Sequence, residues 1–225
     1  MIDRRKFLTF VPIAAATFSG MAGLAPQSAF AKTQTQSVGA IETLMRGHGL
    51  LWRAIIVYDV IRDRILKGQE TEPSFVLDTA SVIRTYLEDF HEKAEEKYIF
   101  APLEKDSAQF SAIQELKVQH GTGYELTRRI SNLSKTGKMN AELAGYIDQF
   151  QKMYRHHAAY EDTVIFPAFD LMEKRSDMAE LTATFRDEEK KVLGHNGFDV
   201  FLNQIAHVEK QLGIYELATS TPKLV

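Results

Sequence analysis

Two stretches of this chain share one layout: residues 91–102 read HEKAEEKYIFAP and residues 157–168 read HAAYEDTVIFPA. In each stretch a histidine precedes a glutamate by four residues, a phenylalanine follows five residues after the glutamate, and a proline comes soon after. Side chains four residues apart lie on the same face of an α-helix. The repeat therefore predicts two helices that each direct one imidazole and one carboxylate inward at the same point.

Two further histidines alternate with these pairs along the chain. His48 precedes the first pair and His120 lies between the two pairs, and each is followed directly by a glycine. A single His-x-x-x-Glu pair is common on solvated helix faces, but two pairs in matched contexts favour a shared site. The candidate metal ligands are His48, His91, Glu95, His120, His157 and Glu161.

The surrounding sequence is helical from residue 37 onward. Apolar residues recur at steps of three and four, and no run alternates as a strand would. We predict helices over about residues 37–67, 73–100, 107–133 and 140–166, then a fifth segment after residue 176 that breaks near residue 194 and resumes.

Four long helices with connections of several residues predict an all-α fold, an up-down four-helix bundle. We expect residues 37–172 to form this bundle. Residues 176–225 are expected to form an additional C-terminal helical extension with an irregular tail, lying across the bundle or at one end of it.

The amino-acid composition excludes several kinds of binding partner, metal ligand and catalytic nucleophile. The chain has 225 residues, of which 44% are hydrophobic and 25% charged, as in soluble globular proteins. Its formal charge of −3 argues against a nucleic-acid partner. It has no cysteine, which excludes disulfides, thiolate metal sites and cysteine nucleophiles. A bound metal must therefore be held by histidine and carboxylate, with tyrosine as a further option.

Four imidazoles and two carboxylates are too many ligands for one tetrahedral zinc ion. They suit a pair of metal ions with bridging carboxylates in the core of a helical bundle. Mixed nitrogen and oxygen ligation favours iron, with manganese or zinc as alternatives, and affinity order alone does not exclude copper. Open positions on two such ions would be where O₂, peroxide or NO binds.

With this ligand set the sequence resembles the hemerythrin-like family, the HHE cation-binding domains, over residues 37–170. The resemblance rests on the two single histidines and the two His-x-x-x-Glu pairs. It implies a four-helix bundle with a non-haem di-iron centre that binds O₂ reversibly or reacts with related small molecules. The stretch around residues 194–214 also resembles the extension of some bacterial members.

The sequence departs from the O₂-carrying hemerythrins at two positions. The carriers have a fifth histidine one turn after the histidine of the third helix, where this chain has Tyr124. We expect Tyr124 near the ligands or in the core, with direct ligation as an alternative. The carriers also place the last carboxylate five residues after its histidine, which makes Asp162 an alternative to Glu161.

These departures leave three functions open. The first is O₂ binding for storage, delivery or sensing, and the second is a di-iron redox enzyme acting on peroxide or NO. The third is a structural bundle that holds zinc or no metal. The sequence identifies neither an electron donor nor an oligomeric state.

Two polar residues beside the motifs have alternative interpretations. His156 precedes His157 and is turned about 100° around the helix, so we expect it to face elsewhere. The alternative is a register that pairs His156 with Glu161. Glu92 follows His91 and is expected in solvent, with a role as an extra ligand as the alternative.

Glycines and phenylalanines near the ligands also carry predictions. Gly47 and Gly49 flank His48, and each would cost a helix about 0.5–1 kcal/mol relative to alanine. A close helix contact near the metals would explain them. Phe100 and Phe166 are expected to pack at the bundle ends and to keep water from the site.

The first 31 residues have the layout of an export signal. Residues 1–6 read MIDRRK, an apolar run extends to about residue 24, and residues 29–31 read AFA. The arginine pair followed by KFL resembles a twin-arginine signal, although Asp3 stands where serine or threonine is usual. We predict cleavage after Ala31, a periplasmic protein and no stable membrane insertion afterwards. A retained N-terminal membrane anchor is the alternative.

Overall fold

The structure is a computed structural model that describes residues 38–105, 108–173 and 175–222. The predicted export signal lies outside the described residues. Within them, all regular secondary structure is helical, which confirms the all-α prediction. None of the described helices is long and apolar enough to cross a membrane.

The first four helices form the bundle and two more form the C-terminal extension. Helix α1 spans Ala40–Leu66, and α2 runs on from Pro73–Val82 through Ile83–His91, Glu92–Ala94, Glu95–Phe100 and Ala101–Leu103. Helix α3 spans Phe110–Lys135, and α4 runs on from Ala141–Tyr160 through Glu161–Ile165 and Phe166–Met172. Helices α5 and α6 span Arg175–Leu193 and Gly197–Leu212, and a short 3₁₀ turn follows at Leu217–Thr219.

Several helix ends follow from the local sequence. Pro73 occupies the first turn of α2, where a backbone N–H has no partner within the helix in any case. The Asn140 side chain accepts a hydrogen bond from the Leu143 N–H at 3.1 Å and caps α4. Gly68 and Gly213 follow α1 and α6 with φ of 66° and 75°, the left-handed conformation that ends a helix at low cost.

Helices α2 and α4 are locally widened at the two repeated motifs. The stretches Ile83–His91, Glu95–Phe100 and Glu161–Ile165 are π-helical. Pro102 and Pro167 follow the last two stretches closely. A proline ring clashes with the carbonyl four residues earlier in a regular helix, so a wider turn just before it lets the helix continue. Such π-helical turns are frequent at functional sites.

The bundle has two apolar cores separated by a polar layer. Helix α1 contacts α2 and α4, and α3 contacts the same two helices, as an up-down bundle requires. One core contains Tyr58, Tyr86 and Phe150, and the other contains Phe100 and Phe166. The two histidine motifs and the single histidines lie between these cores along all four helices.

The C-terminal extension packs against the bundle. Helix α6 contacts α1 and α2 and adds Phe201 and Ile205 to the first core, whereas α5 adds Phe185 to the second. Glu209 of α6 is fully buried, and Arg53 of α1 donates to both of its carboxylate oxygens, with Nε to Oε1 at 2.8 Å. The extension is therefore tied to α1 by a charge pair as well as by apolar contacts.

Replacing Arg53 with methionine should lower the free energy of unfolding by about 3–5 kcal/mol, because it leaves Glu209 buried without its cation. Urea unfolding followed by circular dichroism measures the loss. The matched control is Arg128→Met, because Arg128 pairs with Glu125 on the exposed surface of α3. Such a pair contributes about 0–1 kcal/mol. Equal losses in the two variants would contradict this account of how α6 is held.

Candidate metal centre

Six buried side chains from the four bundle helices meet in the polar layer. None of them is more than 4% exposed to solvent. They are His48 of α1, His91 and Glu95 of α2, His120 of α3, and His157 and Glu161 of α4. The structure thus brings together all six residues indicated by the sequence motifs.

Glu95 lies between histidines from three helices. Its Oε1 is 3.0 Å from His91 Nε2 and 3.7 Å from His48 Nε2. Its other oxygen, Oε2, is 3.6 Å from His120 Nε2. The two oxygens of this carboxylate therefore face histidines on opposite sides of the centre.

Glu161 occupies the equivalent position on α4. Its Oε2 is 3.2 Å from His48 Nε2 and 3.1 Å from His157 Nε2. Two overlapping groups result, and within each group the ligand atoms lie within 4.8 Å of one another. We call His48, His91 and Glu95 the first half of the centre, and Glu95, His120, His157 and Glu161 the second half.

Most of the atoms that face this centre make no well-oriented hydrogen bond among the described residues, although they lie close to one another. They are His48 Nε2, His91 Nε2 and both carboxylate oxygens of Glu95 and Glu161. The two other facing nitrogens, His120 Nε2 and His157 Nε2, lie 3.2 Å from each other. Burial of unpaired polar and charged atoms costs free energy unless another group satisfies them. Nitrogen and oxygen atoms that converge in this way fit a bound metal cation.

Three of the four histidines are fixed from behind by hydrogen bonds. The bonds run from His48 Nδ1 to Asp162 Oδ1 (2.8 Å), from His120 Nδ1 to Glu96 Oε1 (2.9 Å) and from His157 Nδ1 to Gln119 Oε1 (3.0 Å). Because these oxygens accept hydrogen bonds, each Nδ1 carries the proton. When the imidazole is neutral, its Nε2 lone pair is then directed toward the centre, as a metal ligand requires.

Each repeated motif supports the single histidine of a neighbouring helix. The acidic residue directly after each glutamate makes the hydrogen bond to that histidine. The phenylalanine of the same motif stacks on it: Phe100 on His120 with ring centroids 5.6 Å apart, and Phe166 on His48 at 5.5 Å. The sequence repeat therefore corresponds to an approximate two-fold arrangement around the centre.

Sequence reasoning missed Glu96 and Gln119 as hydrogen-bond partners. The sequence did contain an indication for Glu96, because an acidic residue follows the motif glutamate in both repeats, as Glu96 and as Asp162. No feature of the sequence indicated Gln119, because its hydrogen bond to His157 crosses the contact between α3 and α4. Asp162 itself bonds to the outer nitrogen of His48 rather than replacing Glu161 at the centre.

His156 faces away from the centre, as expected. Its side chain is exposed, and its Nδ1 donates to the Lys152 carbonyl at 2.7 Å within the same helix. The alternative register that pairs His156 with Glu161 is therefore wrong.

Tyr124 is neither near the ligands nor in the core, so that expectation is wrong. It is 47% exposed, and the Arg84 guanidinium lies 3.6 Å from the centre of its ring. The buried face of α3 runs through Gly123 instead, where an added Cβ would lie 1.9 Å from Tyr154 Oη. Tyr154 of α4 fills this space beside the centre, and Tyr124 is turned outward.

Glu92 is buried, and the expectation of a solvated side chain is wrong. It shares a helix face with Glu88 and Glu95, which are also buried. Tyr154 Oη donates to Glu92 Oε1 at 2.7 Å, and the Tyr154 ring meets the His157 ring edge-on with centroids 5.4 Å apart. Burial raises the pKa of Glu92 to about 8.

Of the two glycines that flank His48, one has a structural reason. A Cβ added at Gly47 would lie 2.3 Å from His91 Nδ1, so α1 and α2 can approach this closely only with glycine there. A Cβ at Gly49 would meet nothing within 4 Å. The predicted helix contact thus explains Gly47, and nothing in the structure explains Gly49.

Burial and neighbouring charges strongly shift the pKa values of side chains in the centre. Burial lowers the pKa of His48, but Asp162 and Glu161 outweigh burial and raise it to about 10. Burial raises the pKa of Glu95 to about 8, and the charge of Glu161 adds to the shift. Burial also opposes ionisation of Glu161, but His157 and His48 hold its pKa low. The two buried carboxylates therefore depend on nearby positive charge to ionise, which the histidines or a bound cation would supply.

Comparison with known proteins agrees with this geometry. A family model described as the hemerythrin HHE cation binding domain matches residues 39–169. The chain belongs to this family. The matched range covers the four bundle helices except the last residues of α4, and it contains all six residues of the centre.

Two relatives align with this chain over more residues than the family model does. Uncharacterized proteins of Mycobacterium tuberculosis strain H37Rv and of Mycobacterium bovis are 32% identical to this chain over 198 residues. The alignment covers 84% of this chain and 76% of each relative. No solved structure matches the chain significantly.

We expect the metal-free protein to lose stability as the pH rises from about 5 to about 8. The pKa of Glu92 is about 8 in the folded state against an ordinary 4.5, so the folded protein keeps a proton that the unfolded chain has released. The raised pKa of His48 acts in the same direction between 6.5 and about 10.

Urea unfolding in the presence of a chelator, repeated across this pH range, measures the slope. The Glu92→Gln variant keeps an acceptor for Tyr154 but cannot ionise, so its stability should fall less between pH 5 and pH 8. A wild-type stability that rises over this interval would contradict the assigned protonation of Glu92.

Proposed function

We propose that this chain is a non-haem di-iron protein that binds O₂ or a related small oxidant within its four-helix bundle. The observation that carries the proposal is the position of Glu95 and Glu161, each lying between histidines from different helices. Shared carboxylates suit two metal ions better than one. The mixed imidazole and carboxylate set favours iron, with manganese or zinc as the alternatives.

Iron bound here would supply open coordination positions and a change of oxidation state. The residues of the chain supply the setting. Asp162, Glu96 and Gln119 orient three of the ligand imidazoles through their outer nitrogens. The stacked rings of Phe100 and Phe166 and the apolar cores on both sides limit the access of bulk water to the polar layer.

The iron-loaded protein should contain about two irons per chain. The His157→Ala variant should lose at least one of them, because it removes a ligand of the second half. The His156→Ala variant is the matched control and should keep both, since that neighbouring side chain is exposed and bonded to its own helix. Metal analysis after anaerobic reconstitution gives the stoichiometry.

Exposure of the reduced, iron-loaded protein to O₂ should change its absorption spectrum, and removal of the gas should restore it. A protein that takes up no iron, or equal iron loss in the two histidine variants, would overturn the metal centre. Uptake of two irons with irreversible oxidation at first exposure would overturn reversible O₂ binding alone.

A second candidate function, a redox enzyme acting on peroxide or NO, has support from the buried Tyr154–Glu92 pair. Reduction of these molecules consumes protons as well as electrons. A phenol that donates to a buried carboxylate at 2.7 Å, next to the His157 ring, can hold a proton close to the centre. The sequence had favoured this function because Tyr124 replaces the fifth histidine of the carriers. Tyr124 is exposed, so it no longer supports the function.

If the protein is such an enzyme, Tyr154→Phe should slow the turnover of peroxide or NO by about 100-fold, because it removes the phenolic proton. Tyr124→Phe is the matched control and should turn over at the wild-type rate, since its ring lies at the surface under Arg84. Stopped-flow consumption of the substrate measures both. Turnover no faster than that of free iron would rule out the enzyme.

The proposed setting is outside the cytoplasm. It is supported by the layout of residues 1–31, with the arginine pair, the apolar run and the AFA sequence. A metal site made without cysteine suits an oxidising compartment, because it has no thiol to lose to disulfide formation.

A further inference from the structure

One of the four histidines in the centre is held differently from the others. His91 is 3% exposed, and its Nδ1 has no hydrogen-bond partner in the part of the chain that the structure describes. The corresponding nitrogens of His48, His120 and His157 all donate to a side-chain oxygen within 3.0 Å. Histidines that bind metals almost always have such a partner.

The contact with Gly47 explains why His91 lacks a partner. A Cβ added at Gly47 would lie 2.3 Å from His91 Nδ1 and 2.6 Å from Cε1, so the backbone of α1 packs directly on this edge of the ring. The space that an acceptor side chain would need is filled by α1. The His91 ring is therefore positioned by packing alone.

This difference separates the two halves of the centre. The second half has two histidines that are both fixed by hydrogen bonds, together with the carboxylates of Glu95 and Glu161. The first half has one fixed histidine, His48, and the unfixed His91. An outer hydrogen-bond partner typically contributes a factor of about 10–100 to metal affinity.

We infer that metal fills the centre in a fixed order, the His120–His157 half first and the His48–His91 half second with at least tenfold weaker affinity. This inference rests on the proposed two-metal centre and adds the order of loading. At limiting metal the protein holds one ion, and the two-metal form exists only when free metal exceeds the weaker dissociation constant. Gly47 and Gln119 act as positioning residues for the two halves.

Titration of the metal-free full chain with Co²⁺ tests the order of loading. Co²⁺ accepts the same nitrogen and oxygen ligands and reports its coordination through visible absorption. We expect two resolved steps, in absorption and in calorimetry, whose constants differ by about tenfold or more.

Proton NMR of the Co²⁺-loaded wild type identifies which half fills first without any variant. At one equivalent, the metal-shifted imidazole N–H signals should be the two from His120 and His157, which donate to Glu96 and Gln119. The His48 N–H signal should appear only toward the second equivalent. A His48 signal at one equivalent would overturn the inference.

Variants test the assigned cause. Gly47→Ala should push the His91 ring aside and weaken the second step by at least tenfold while leaving the first unchanged. Gly49→Ala lies on the same helix with nothing near its Cβ and should change neither step. Gln119→Leu removes the acceptor for His157 and should weaken the first step by about 10- to 100-fold.

The outcomes separate this inference from the proposed function. Binding of fewer than two Co²⁺ ions would refute the two-metal centre itself. Binding of two ions in one step, or a Gly47→Ala variant that weakens the first step, would keep the centre but overturn the order of loading.

Discussion

Two carboxylates buried among four imidazoles set the constraint on which the rest of the bundle depends. Glu95 and Glu161 are fully buried, and neither has a hydrogen-bond partner for its oxygens among the described residues. A core of leucine and phenylalanine in place of such a buried charged layer is often as stable or more stable. The polar layer therefore has to be held in place from outside, and several other features of the fold do so.

The helices that carry the carboxylates show this support most clearly. In each of them a π-helical turn begins at the glutamate and a proline follows closely. The acidic residue that holds the neighbouring histidine lies within the turn, and the phenylalanine lies at its end or directly after it. Apolar cores above and below keep the layer dry, and α6 closes the first core through Phe201 and Ile205. The extension is thus part of what stabilises the site, although it contributes no residue to the centre.

The approximate two-fold arrangement is incomplete, and its break carries information. Glu96 and Asp162 do equivalent work on opposite sides of the centre, whereas Gln119 has no counterpart behind His91. The backbone of α1 at Gly47 takes the place of that counterpart. Two halves with similar ligands but different outer contacts would provide unequal metal positions, as the proposed order of loading requires.

The sequence by itself determined the helical fold, the identity of the six centre residues and their division into two repeated motifs. It could do so because spacing of four residues fixes which side chains share a helix face. Only the tertiary structure decided what lies behind those residues, because that depends on which helices touch. Tyr124 is exposed and Tyr154 is beside the centre since Gly123 admits the ring of another helix, and Glu92 is buried since that ring provides its partner. Contacts across helices such as His157 with Gln119, or Gly47 with His91, follow from how closely two helices pack, and no spacing along the chain encodes them.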